Sequence, residues 1–121
     1  MARLAVSLAF IIPVVAACGA GPGQLDVVEA PGAVPDHSFV IPAGAGAAHD
    51  RGETLEILPA EMAVKVGEVI EIVNRDERGH LVGPFFVGAG ETLRQRFTGP
   101  GEFAGVCTVH PSGRLVLVVR P

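Results

Sequence analysis

The chain has 121 residues, 13 acidic against 9 basic side chains, and a formal net charge of −4. That balance argues against the basic footprint of a nucleic-acid binder, and the length leaves room for one modest core and no second domain.

The N-terminus begins with Arg3, continues as an apolar run over residues 4–17 and ends in small residues before Cys18. The run is shorter than the roughly 20 apolar residues a membrane span needs, so residues 1–17 read as a secretory signal peptide. Its end, "VAAC", resembles the bacterial lipobox, which implies lipidation of Cys18 as the first residue of the mature protein and attachment to the membrane by that anchor. Export with the anchor implies an extracytoplasmic location at the cell membrane. Loss of Arg3 with the signal takes the formal charge from −4 to −5. Residues 18–36, rich in Gly, Ala and Pro, read as a flexible tether, and the domain is expected over residues 37–121.

Within that domain, His37 to Ile41 reads as a short strand followed by a Gly/Ala loop. From Gly52 onward, short β-rich runs alternate in face and are broken by turn signals. "ETLEIL" places Leu55 and Ile57 on one face, "MAVKV" turns Met62, Val64 and Val66 inward with Lys65 outward, and "EVIEIV" aligns Ile70 with Ile72. No window carries a sustained helical period. About seven short antiparallel strands with no helix to cover them must bury their apolar faces on each other, so the expected class is an all-β sandwich.

The chemistry concentrates in "VCTVHPSGR". Strand alternation puts Cys107 on the face of Phe103 and Gly105, and His110 follows three residues later on a loop stiffened by Pro111. An unpaired thiol in an exported protein suggests metal ligation. A third ligand must come from elsewhere, and His80, opening the run after "NRDERG", is the best placed. His37 and His49 read as solvated. Asp76 and Glu77, on the turn before His80, read first as a solvated turn, with a hydrogen bond that tunes the His80 imidazole as the alternative. No paired carboxylates and no Ser/His/Asp set support an enzyme.

Here the sequence resembles the cupredoxin family of small copper proteins, over about residues 53–121. The resemblance rests on "PAEMAVKVGEVIEIVNRDERGH", on "TGPGEFAGVCTVHPSG" and on the closing strand "RLVLVV". It implies a Greek-key sandwich with His80, Cys107 and His110 around one copper ion at its end. It also implies one-electron transfer with a redox partner protein, by a chain expected to act as a monomer. Pro111 and "GPFF" would then offer an apolar docking rim. One departure stands out: the methionine that such short-loop members carry as a weak axial ligand is replaced by Gly113, and Met62 reads as core. The alternatives are a module that stores or delivers copper without redox cycling, and an interaction domain that keeps only the fold.

Overall fold

Nine strands and one short helix form among residues 25–53 and 55–121, the part of the chain that the computed structural model describes. In chain order they are β1 (Val27–Glu29), β2 (His37–Ile41), α1 (Ala45–Asp50), β3 (Glu61–Lys65), β4 (Val69–Asn74), β5 (His80–Val82), β6 (Phe85–Val87), β7 (Thr92–Phe97), β8 (Gly101–Val106) and β9 (Arg114–Arg120). No described helix is long and apolar enough to cross a membrane.

One layer has the strand order β1-β7-β4-β2, and the other the order β3-β9-β8. The β5-β6 hairpin extends the second layer, because Val82 bridges to Cys107 and the Gly83 amide donates to the Val106 carbonyl at 2.9 Å. The pairs β2–β4 and β3–β9 are parallel, and the other strand pairs are antiparallel. Parallel neighbours cannot be joined by a tight turn. The chain instead crosses between layers, from β3 to β4 and from β7 to β8, and so closes the sandwich.

The period-two pattern supplies the core. Met62 and Val64 of β3, Ile70 and Ile72 of β4, and Leu115, Leu117 and Val119 of β9 are buried between the layers. Phe97 faces Phe85 across them, with ring centroids 6.4 Å apart and planes tilted by 55°, an arrangement that suits the ring quadrupoles. Val66, expected to point inward, is partly exposed because β3 ends at Lys65 and turns there.

Four segments differ from the sequence reading. The expected tether over residues 18–36 is structured in its described part. β1 pairs with β7, the Thr98 amide donates to the Asp26 carbonyl at 2.9 Å, and Asp36 and Val69 are joined by two hydrogen bonds, of 2.9 Å and 2.8 Å. Leu25 and Val27 alternate against the core there, so the segment satisfies the edge of β7 while burying apolar surface. The signal peptide, Cys18 and residues 18–24 lie outside the described residues. "ETLEIL" is not a strand: Leu55 and Ile57 pack against the core and Leu58 is buried, but in irregular backbone whose Ile57 amide donates to the Val109 carbonyl. The Gly/Ala loop contains α1, and "HLVGPFFV" splits at Gly83 and Pro84 into a hairpin.

The core assignment is tested by truncation. Ile72→Ala, at a side chain with no exposed surface, should cost about 2–5 kcal/mol in urea-induced unfolding. Val34→Ala, 86 % exposed, should stay within about 0.5 kcal/mol of the parent.

Candidate metal centre

The three candidate residues come from neighbouring segments at the end of the second layer. His80 is the first residue of β5, and Cys107 follows β8 and bridges to Val82 of β5. His110 lies on the loop that returns to β9. The Thr108 amide donates to the Leu81 carbonyl and the Cys107 amide to the Gly113 carbonyl, both at 2.9 Å, which fixes this loop to both neighbours.

His80 is buried, and both ring nitrogens are engaged. Nε2 lies 2.7 Å from Asp76 Oδ2 and Nδ1 lies 3.0 Å from Thr108 Oγ1. Asp76, expected on a solvated turn, is itself buried at 3 % exposure. The backbone turns it inward: its own amide donates to Asn74 Oδ1 at 2.9 Å, while Asn74 Nδ2 reaches the carbonyls of Arg78, Val87 and Gly88. The hydrogen bond from His80 holds the Asp76 carboxyl down at about 2 from an ordinary 3.8, against the opposing effect of burial and with help from the amides of Gly46, Glu77 and Gly44. Glu77 is exposed, as expected.

Cys107 is a free, buried thiol. Burial raises its pKa above the ordinary 9.0, and a hydrogen bond from the Val109 backbone pulls the other way. The thiol is therefore protonated at neutral pH, and any metal it binds must displace that proton.

His110 is the more accessible imidazole, at 12 % side-chain exposure. The Ser112 amide donates to its Nδ1 at 3.0 Å, and Ser112 Oγ lies 2.7 Å from the same atom. An amide is only a donor, so Nδ1 keeps its lone pair and the ring proton resides on Nε2. An ionised Asp76 accepting from Nε2 has the same effect on neutral His80. Both imidazoles thus present an Nδ1 lone pair toward a hydroxyl, Thr108 for one and Ser112 for the other.

The donor types, two imidazole Nδ1 atoms and one thiol, fit a soft mononuclear metal. Among the described residues, however, no group of three His, Cys, Asp or Glu side chains is gathered so as to hold an ion. Ligation by all three residues would require the imidazoles to exchange their hydroxyl partners for the metal. Gly113, where the resemblance expects a methionine, meets a backbone requirement. Its φ of 70° lies in the left-handed region, and its amide closes the turn onto the His110 carbonyl at 2.9 Å. A side chain there would strain the backbone, although the space beside it is open.

His49 is exposed, as expected, and α1 sets it at a cleft of about 210 Å³ that His110, Thr108, Pro111 and Gly113 also line. His37 remains elsewhere, paired with Glu68 at 3.2 Å. Of the expected apolar rim, Phe86 is exposed while Phe85 belongs to the core. Asp76 is the residue that sequence reasoning ranked wrongly, setting a solvated turn above the hydrogen bond to His80 that the structure shows. The signal was available in its spacing of four from His80, but a turn rich in charge gives no sign of which carboxylate folds inward.

No family model matches the sequence, and no curated protein matches it. Solved structures do show a likeness. Amicyanin from Paracoccus versutus (Thiobacillus versutus) is 20 % identical, with a TM-score of 0.46 over 80 % of this chain and 100 % of that one. A purple cupredoxin from Nitrosopumilus maritimus is 20 % identical, with a TM-score of 0.44 over 70 % of this chain and 100 % of that one.

The Asp76 contacts set an acid dependence. A carboxyl whose folded pKa is depressed stabilises the fold in full above its unfolded value, near 3.8, and loses that contribution as pH falls toward about 2. Urea midpoints measured across this window should fall more steeply for the parent than for Asp76→Asn, which should be less stable at neutral pH. Equal slopes would show that the carboxylate is not held as described.

Proposed function

We propose that this protein binds one copper ion through His80, Cys107 and His110 and uses it to carry single electrons between partner proteins. The observation that carries this reading is the state of the two histidines. Asp76 is placed to accept from Nε2 of His80 and the Ser112 amide donates to Nδ1 of His110, so each neutral ring keeps an Nδ1 lone pair, the form in which imidazole serves as a ligand. The buried free thiol of Cys107 lies on the segment that bridges to β5 and leads into His110. A thiolate and two imidazoles in a constrained site suit both oxidation states of copper, which is what the ion would supply. The chain's own contribution is positional. β5 pairing anchors His80, the Val82 bridge anchors Cys107 in the buried core, and His110 reaches toward the surface. The membrane-anchored, extracytoplasmic setting is part of the proposal and rests on residues 1–18 of the sequence.

A second reading, copper storage or delivery without redox cycling, is favoured by one specific feature. Gly113 places no side chain over the centre, and the cleft beside His110 gives small ligands access. A site that admits exchangeable ligands suits metal transfer as well as electron transfer. Reversible one-electron reduction of the loaded protein supports the carrier, and copper that leaves on reduction supports delivery.

The ligand set is checked by substitution. Cys107→Ser should abolish the intense visible absorption of the copper(II)-loaded protein while leaving its circular dichroism unchanged. His80→Ala and His110→Ala should each weaken copper binding by at least about tenfold, on the scale of losing a ligand contact, whereas His37→Ala should not. A visible band that survives in Cys107→Ser would remove the thiolate from the site.

A further inference from the structure

The six-residue helix α1 and the turn before it had no expected role, yet the Asp76 carboxylate joins them to His80. Its Oδ2 receives the His80 Nε2 proton at 2.7 Å and the Gly46 amide at 2.8 Å. Its Oδ1 receives the amides of Gly44 at 3.1 Å and Glu77 at 2.9 Å. Both oxygens are therefore saturated by donors, two of them from residues about thirty positions earlier in the chain.

Gly46 is where this packing is tightest. A Cβ added to it would lie 2.9 Å from Asp76 Oδ2 and 2.7 Å from Arg78 Cδ. A second tie reinforces the approach, because Arg78 Nη1 pairs with Asp50 Oδ2 at 2.6 Å. The oxygen that holds the imidazole is thus the one against which α1 is seated.

We propose that Asp76 is a positioning residue that sets the tautomer of His80, and that the segment from Gly44 through α1 holds this carboxylate in place. The donor pattern allows the effect of an isosteric change to be worked out. In Asp76→Asn one oxygen becomes an NH₂ group, which cannot accept. At the Oδ1 position it would face two amide donors. At the Oδ2 position it would face only the Gly46 amide, and it could donate to His80 Nε2. The second arrangement leaves fewer buried donors unpaired and is favoured. It takes the lone pair of Nε2 and moves the ring proton to Nδ1, the atom through which His80 would bind a metal.

The test is ¹⁵N NMR of the histidine ring nitrogens in the protein without added metal, at a pH where His80 is neutral. The parent should show the Nε2–H form, and Asp76→Asn should shift His80 to the Nδ1–H form while His110 stays unchanged. A His80 ring that keeps its Nε2–H signature in Asp76→Asn overturns the proposal. Should that variant fail to fold, Gly46→Ala tests the same link from the other side. It should displace the His80 Nε2 proton resonance, and an unmoved resonance overturns the role given to α1.

The proposal rests on the copper reading only in its last measurement. Copper(II) titration of Asp76→Asn should show affinity lowered roughly ten- to a hundredfold, the usual cost of removing the partner that orients a ligating histidine. A parent protein that binds no copper defeats the functional reading, whereas the NMR result decides the role of Asp76 by itself.

Discussion

A single buried carboxylate organises the end of the sandwich where the candidate centre lies. Asp76 is enclosed between the 74–80 loop and α1, and a charge in such a place is tolerated only when its oxygens are paired. Four donors meet that condition, and each one constrains a different piece of chain: the turn before α1, α1 itself, the loop backbone and the His80 ring. Removing the carboxylate would leave these donors unpaired together, so the geometry of His80 and the seating of α1 are not independent properties.

The hairpin of β8 and β9 plays the complementary part for the other two donors. Cys107 leaves β8 as the strand ends, and the loop returns through Gly113 in a conformation available to glycine. The Cys107 amide and Gly113 carbonyl close that loop at its base, while Ser112 fixes the His110 ring within it. The thiol is held dry and the imidazole is held nearer to solvent. This difference in exposure follows from one residue emerging inward from a strand and the other standing on the turn.

Hydroxyl groups shape the arrangement as much as the three candidate residues do. Thr108 and Ser112 each satisfy the Nδ1 atom of one imidazole, so no buried side-chain donor or acceptor is left without a partner among the described residues. Such a centre is stable as it stands. Under the proposed function, a soft ion would have to displace these hydroxyl partners and the Cys107 proton.

The core strands were legible in the sequence because period-two alternation is a local property. Met62 and Val64, Ile70 and Ile72, and the closing apolar strand face inward as their spacing demands. The closeness of Cys107 and His110 was legible for a similar reason, since a strand end and a short loop keep near neighbours near, whereas the approach of β5 with His80 is a long-range contact. Asp76, β1, α1 and the irregular course of residues 55–60 were not, because each depends on a partner distant in the chain. Val27 becomes a strand residue only where β7 offers an unpaired edge, and Leu55 and Ile57 pack without a ladder because their neighbour is the loop at Val109. Asp76 is set apart from Glu77 by meeting the Gly44 and Gly46 amides and the His80 ring. The sequence by itself determined an all-β domain and the donor types at its end, since both follow from side-chain chemistry and short-range spacing. Which polar groups are buried, and which nitrogen of each histidine holds the lone pair, was decided only by the tertiary structure, because a buried donor or acceptor takes whatever partner the fold brings to it.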